Sequence, residues 1–299
     1  MTPDSRTNIS GKGPASLVLR EGRPQDAAAC GSICYHGFKT IAEQHSFVPD
    51  FPSVAVAQGL MRDLLGRKRV HSVIAETGGR VIGSNFLWGP LPIAGVGPIT
   101  VDPDQQNGSV GRRLMEAAIE RARVEGFLGV RLVQAAYHNR SLSLYTKLGF
   151  DVREPLSLMQ GEPLAIALPG HAVRSATKSD IEACARLHTS IHGFARSVEL
   201  GEAIEQGLAT VVERDGQISG YATGIGFFGH AIGVNTEDLK ALIGAAPAFS
   251  GPGFLLPSRN GELLRWCLAQ GLRVVQPMTL MSRGLYNEPS GAFLPSILY

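Results

Sequence analysis

Cysteine is scarce in this 299-residue sequence: there are four, Cys30, Cys34, Cys184 and Cys267. Cys30 and Cys34 stand one helical turn apart on a predicted helix, and no second CxxC or CxxxC pair follows at metal-site spacing. Buried reduced thiols are therefore expected, with neither a disulfide framework nor a bound metal. Long apolar runs are missing too. No stretch reaches about 18 consecutive apolar residues, so no membrane-spanning helix is read. The opening Met-Thr-Pro-Asp-Ser-Arg-Thr has no apolar core and does not read as a secretory signal. Charge of one sign is likewise lacking. Lys and Arg number 28 against 26 Asp and Glu, a formal net charge of +2, and no long basic run marks a nucleic-acid surface. The local basic cluster at residues 65–72 reads as a solvated loop in preference to an anion site. The expected setting is a reducing cytoplasm, without nucleic acid or membrane as partner; the oligomeric state is not legible.

What is present is an ordinary globular balance, 44% hydrophobic and 18% charged, at a length that suits two domains. Residues 1–15 are polar and rich in Gly, Ser and Pro, and read as a frayed lead-in. Strand Leu17–Arg20 and two helical segments, from Pro24 to His36 and Val54–Leu65, come next. Strands Ser72–Glu76 and Arg80–Trp88 flank Thr77-Gly78-Gly79, a hairpin signal. An apolar strand Val96–Val101 leads through a glycine-bearing loop into an amphipathic helix, Val110 to Val124, whose Val110, Leu114, Ala117, Ala118 and Ala122 recur at helical spacing. Strand Val130–Ala136, helix Ser141–Leu148 and strand Asp151–Met159 complete the first half. Pro163–His171 reads as a linker, and from Ala172 a similar order of elements begins again, which suggests internal duplication. The domains are thus placed at 1–162 and 172–299, in the α/β (α+β) class, each a mixed and mostly antiparallel sheet flanked by helices.

Two segments carry chemistry. In the first, Val101-Asp-Pro-Asp-Gln-Gln-Asn-Gly-Ser-Val-Gly-Arg-Arg, a strand ends and a polar loop feeds directly into a helix. Helix N-termini present unpaired N–H groups and about half a positive charge, and glycines let that backbone approach a ligand closely. Such a turn can cradle a phosphate or simply join strand to helix. The second, His138-Asn-Arg-Ser-Leu-Ser-Leu-Tyr-Thr-Lys-Leu-Gly-Phe150, reads as a polar-capped short helix closed by Gly149.

Together these segments resemble the two signature motifs of the GNAT superfamily of N-acetyltransferases. Gln106, Asn107, Gly108, Ser109, Val110 and Gly111 stand in the six places of the Q/R-x-x-G-x-G/A loop, with Ser109 where the first glycine is usual. Leu144 to Phe150 match L-Y-x-K-L-G-F, and His138 stands where the family has asparagine, with Asn139 next to it. The resemblance spans about Leu17 to Gln160 and implies acetyl-CoA as co-substrate, with no metal. It places the pantetheine arm against Ile99, Thr100 and Val101, and the pyrophosphate on the N–H groups from Asn107 to Arg112. Asn139 and Ser141 are implied as further cofactor contacts, and Tyr145 as the acid that protonates the leaving thiolate. The implied acceptor is the primary amine of a small molecule or peptide. A protein that binds acyl-CoA without catalysis is the alternative reading. Glu43, His45, Glu76 and His138 are conceivable bases, with none singled out.

The second half lacks the glycine loop. Val234-Asn-Thr-Glu-Asp-Leu-Lys puts a cap and two carboxylates in a helix's first turn, which would repel a pyrophosphate. Its later helix keeps the outline of the second motif, with Trp266 read at the tyrosine's place. A GNAT-like fold without cofactor is expected there. The apolar tail from Tyr286 to Tyr299 is expected to dock, along the domain interface or, in a sharper version, at the first half's site.

Overall fold

Arg20 sets the entry to the first half. Its guanidinium grips Asp26 through two 2.8 Å bonds and reaches Glu76 at 2.8 Å, while Asp26 also accepts from the Arg23 amide. These bonds fasten strand β1 (Leu17–Glu21) to β2 (Val70–Thr77) and to the start of helix α1 (Ala27–Gln44). The computed structural model describes residues 16–106 and 108–298, so the frayed lead-in read at 1–15 lies outside it. Ser53 caps α2 (Val54–Gly66) by accepting from the Val56 amide. Strand β3 (Arg80–Trp88) returns along β2, and Gly78 and Gly79 take the positive φ that the predicted turn requires. Helix α3 (Val110–Val124) buries Val110, Leu114, Met115, Ala118 and Ala122 on one stripe, and its limits are those predicted.

The predicted strand Val96–Val101 is instead two short strands, β4 (Ile93–Val96) and β5 (Thr100–Val101). Gly97 has φ +132° and Pro98 has no N–H for a ladder, so the chain cannot run straight between them. Strand β6 (Gly129–Ala135), helix α4 (Asn139–Lys147) and strand β7 (Asp151–Gln160) follow.

The second half repeats this plan: β8 (Ala172–Ser175), α5 (Ile181–His192), α6 (Ser197–Glu205), β9 (Thr210–Arg214), β10 (Gln217–Ala222), β11 (Ala231–Gly233), α7 (Thr236–Ala245), β12 (Phe254–Pro257), α8 (Gly261–Ala269) and β13 (Arg273–Gly284). The Arg20 clamp recurs with it. Arg174 holds Asp180 at 2.8 and 2.9 Å and Glu213 at 2.6 Å, and Asp180 accepts from the Thr177 amide. Two halves with one order of elements and one ion-pair device at the same place are a tandem duplication of a mixed α/β unit.

The halves do not keep their strands to themselves. One sheet runs β1-β2-β3-β4-β6-β13-β7-β12, with β5 beside β3; the other runs β14-β11-β10-β9-β8, where β14 is Ala292–Leu294. Strand β13 of the second half is inserted between β6 and β7, antiparallel to both, and β7 of the first half lies beside β12. Each half has given its last long strand to the other. Met278, Leu280 and Met281 of β13 are buried, as are Leu156, Leu158 and Met159 of β7, so both strands have apolar residues on both faces and belong inside a sheet. The boundary at residues 163–171 divides the chain but not the fold.

The tail docks in the second half, as β14 antiparallel to β11 with Phe293 and Leu294 buried. In the first half β4 pairs with β6. Their counterparts β11 and β12 do not pair, and β14 lies along the free edge of β11. Tyr299, placed in the sharper version of the tail reading, lies outside the described residues. All four cysteines are free and buried. Among the described residues no helix is long and apolar enough to cross a membrane.

Candidate active site

The site begins where a ladder stops. Strands β4 and β6 pair in parallel through Ile93↔Gly129, Ala94↔Val130 and Gly95↔Arg131, and no further. Beyond that pair β6 continues to Ala135, while the other chain bends at Gly97 and rejoins the sheet as β5 against Gly83 and Ser84 of β3. An ideal Cβ at Gly83 would lie 2.7 Å from the Thr100 carbonyl, so glycine there is what lets β5 come in. The result is a cleft between β5 and the far end of β6. The Thr100 side chain is committed to Ser84 (Oγ1 to Oγ, 3.3 Å), which leaves the backbone of Ile99–Val101 along the cleft wall.

The helix that predicted an anion cradle points its start at this wall. Ser109, at φ +64°, precedes α3 and makes no side-chain cap. The first amide bonded back into the helix is Arg113, to the Ser109 carbonyl at 3.0 Å. The N–H groups of Val110, Gly111 and Arg112 therefore have no intrahelical acceptor. A Cβ on Gly111 would sit 3.6 Å from Leu144 and 3.8 Å from Val101, and one on Gly108 3.7 Å from the Gln105 carbonyl, all ordinary contacts. The fold itself does not require glycine at either place; a ligand lying close on the backbone would. Gln106 turns inward, donating to the Val101 carbonyl at 3.4 Å. Arg112 is half-exposed beside Glu116, whereas Arg113 reaches back to the Leu17 carbonyl. Asn107 lies outside the described residues.

Tyr145 stands under the mouth of the cleft. It is 6% exposed and packs with Val96, where β4 ends, and Leu132, the first β6 residue past the last pair. Burial pushes its phenol up to about 12, partly offset by a hydrogen bond from Ser141 one turn back, so it stays protonated near neutrality. Ser141 is thereby tied to the tyrosine, and its amide donates to Nδ1 of His138, which caps α4. Asn139 is exposed at the start of that helix.

Gln134 gave no signal in the sequence. It is 7% exposed, and neither its amide oxygen nor its nitrogen has a hydrogen-bond partner among the described residues. Strand alternation puts it on the same face as Leu132, hence on the Tyr145 side of the cleft. A buried orphan amide costs about 1–3 kcal/mol. A ligand carrying amide or carbonyl groups into the cleft would relieve that cost. The open helix end, the unpartnered strand edge and this amide fit the pyrophosphate and pantetheine of a CoA thioester.

A second group lies just past the end of β6. Tyr137 stacks on Phe47 (4.3 Å between centroids, 8° between planes) and lies 5.2 Å from His45. Its hydroxyl is buried without a partner among the described residues, and burial pushes it up to about 12. Asp50, in the α1–α2 loop, accepts from Nε2 of Gln276 at 3.3 Å, and burial raises its carboxyl above the ordinary range. Of the conceivable bases, Glu76 is held in the Arg20 clamp and Glu43 pairs with Lys39 at the surface. His138 has its Nδ1 in the cap, and burial lowers its pKa. His45 comes near the cleft through Tyr137. Asp50 was not singled out from sequence, because its burial depends on Gln276, 226 residues away.

The second half has closed both requirements. Asn235 and Asp238 cap α7 reciprocally at 3.2 and 3.0 Å, so that helix end is satisfied by its own carboxylate, and β14 fills the strand edge. One reading is corrected. The place of Tyr145 is taken by Cys267, not Trp266: Leu272 N bonds to Cys267 O at 3.1 Å as Phe150 N bonds to Tyr145 O at 3.0 Å, and Gly271 matches Gly149 in left-handed φ.

Residues 40–150 match the sequence model of the Acetyltransferase (GNAT) family. An "IAA acetyltransferase" of Azospirillum brasilense is 26% identical over 156 residues, covering 51% of this chain and 95% of that relative. In fold, a protein of Pyrococcus horikoshii aligns over 97% of both chains with TM-score 0.71 at 14% identity. A tandem GNAT protein from the clavulanic acid biosynthesis pathway aligns over 90% of this chain and 98% of its own with TM-score 0.54, also at 14% identity.

Proposed function

We propose that this chain, whose residues 40–150 match the GNAT acetyltransferase family model, is an acetyltransferase of that kind that transfers an acetyl group from acetyl-CoA to the primary amine of a small molecule or peptide. The observation that carries this reading is the place of Tyr145, a buried and protonated phenol packed against both lips of the cleft. In this reading the N–H groups of Val110, Gly111 and Arg112 hold the pyrophosphate, with Arg112 adding charge and Gly108 and Ser109 leaving room. The backbone of Ile99, Thr100 and Val101 lies along the pantetheine arm, and Gln134 meets its amide groups.

The amine enters from the side of Asp50 and Tyr137. Its lone pair attacks the thioester carbonyl carbon, the C–N bond forms and the C–S bond breaks. The departing thiolate takes the phenolic proton of Tyr145, which solvent restores, and the proton lost by the amine goes to Asp50. Positioning of the two reactants supplies most of the rate, and proton delivery contributes about 10²–10⁴-fold. The second half contributes no cofactor site.

Calorimetric titration of acetyl-CoA should give one site per chain. Tyr145→Phe should keep that affinity and the melting temperature, yet lose about 10²-fold or more in thiol release with an active amine found by library screening. Absence of acetyl-CoA binding would overturn the reading; two sites would overturn the assignment of the second half.

A further inference from the structure

Alternation along β6 gives the cleft two sides. Leu132 and Gln134 face Tyr145, so Val133 and Ala135 face the opposite way. Directly opposite residues of a ladder share a face, and Ala135 pairs with Met278 and Val133 with Leu280 of β13. Both halves therefore build this second side. Two further groups of the second half pack on it, Phe227 from the loop before β11 and Ile297 from the tail.

The tail is fastened there by its backbone. The Ile297 amide donates to the Phe227 carbonyl at 2.7 Å, and the Leu298 amide donates to Oγ of Ser296 at 3.2 Å. Phe227, Met278 and Leu280 are buried, whereas Val133, Ala135 and Ile297 stay half-buried. These last side chains, packed in one cluster, form an apolar shelf that the two halves do not close. Its two ends differ in charge. At one, Gln276 has its Nε2 3.1 Å from the Met278 sulfur and donates to Asp50 at 3.3 Å. Tyr137, next after Ala135 in the alternation, stacks on Phe47 nearby. At the other, Arg131 precedes Val133 on the same face, its guanidinium 5.2 Å from the ring centres of Phe194 and Tyr286.

We propose that the acceptor is a primary monoamine with an apolar body, which lies on Val133, Ala135 and Ile297 and points its nitrogen to Asp50. This assignment rests on the acetyl-transfer reading above, in which Tyr145 claims the first side of β6 for the leaving sulfur and leaves the second to the amine. The chemistry agrees along the whole shelf. The carboxylate attracts the ammonium, the apolar side chains cover the hydrocarbon, and the Arg131 charge disfavours a second cation. The second half then selects the acceptor for the first.

The test uses the full chain with saturating acetyl-CoA, and thiol release as the readout. Along ethylamine, butylamine and hexylamine, kcat/KM should rise by about two- to fourfold per added methylene. Hexylamine should exceed spermidine and glucosamine by about tenfold or more. Ile297→Ser should flatten the rise while calorimetric acetyl-CoA affinity is kept. Should that variant not fold, Val133→Thr, nearly the same in shape, should flatten it instead, and the wild-type series decides without either. A level series, preference for the polar amines, or an unchanged slope in a folded variant overturns the assignment while acetyl transfer stands. No acetyl-CoA binding, or binding without thiol release from any amine, overturns the transfer reading and this assignment with it.

Discussion

Gln276 of the second half donates a hydrogen bond to Asp50 of the first, 3.3 Å long. The amide is 5% exposed and belongs to β13, while the carboxylate belongs to the loop between α1 and α2. One half thus holds the carboxylate that we propose as the base of the other. Asp50→Asn should lower kcat/KM for the amine by about 10²-fold and leave acetyl-CoA affinity unchanged. Gln276→Leu should raise the amine KM more than the acetyl-CoA KM. Because burial raises the Asp50 carboxyl and its bond from Gln276 only partly offsets this, the acid limb of the wild-type pH–rate profile should lie above pH of about 4, the ordinary carboxylate value.

Gly111→Ala separates binding from folding. The added Cβ makes only van der Waals contacts with Leu144 and Val101, and alanine is the better helix former by about 1 kcal/mol. Stability should hold or rise slightly, while acetyl-CoA affinity in calorimetry falls by about tenfold or more.

Three buried histidines should make the protein sensitive to mild acid. Burial, with the Arg charges adding to it, lowers His188 to about 3 and puts His192 and His230 well below 6.5. Their folded pKa values lie below the unfolded ones, so the unfolded chain binds more protons as pH falls. The stability they contribute is complete above about pH 6.5 and is lost as pH drops towards the folded values, by about 2 kcal/mol per histidine between pH 7 and 5. Denaturant midpoints should fall across that window, and His188→Phe should make the slope shallower. Asp26 and Asp180, lowered by their arginines, act later, losing their contribution only below about pH 4.

Neither half should fold alone. Met278, Leu280 and Met281 of β13 are fully or nearly buried, worth about 1.5–3 kcal/mol each, against a whole-domain stability of about 5–15 kcal/mol. Residues 1–170 expressed alone should show no cooperative unfolding transition by circular dichroism. Co-expression with residues 171–299 should restore one.

Local signals read well from sequence. The Gly78-Gly79 hairpin, the limits of α3 and the cap of α7, expected at Asn235 or Thr236 and found at Asn235, depend on neighbours within a few residues. The cleft at Ile99–Val101 and the place of Tyr145 came from motif resemblance, and the structure brings them together. Long-range choices did not read. Leu156 and Leu158 in β7, or Met278 and Leu280 in β13, announce buried strands but carry no mark of which strand lies beside them. Trp266 was a slip of one residue on a helix, where neither side chain nor spacing identifies the buried position and only the Cys267 carbonyl does. Asp50 meets Gln276 from 226 residues away, so no local window contained the pair.

The exchange of β7 and β13 also sets an order of assembly during synthesis. The active-site wall of the first half includes a strand more than a hundred residues downstream, since Met278 lies against Ala135 and Gly284 against Gly129. While the ribosome is still making the second half, β6 presents an open edge, and such edges recruit any strand within reach. The tyrosine, the glycine-bearing loop and the helix start are all translated before β13 emerges, yet the sheet beside them closes only when that late strand arrives.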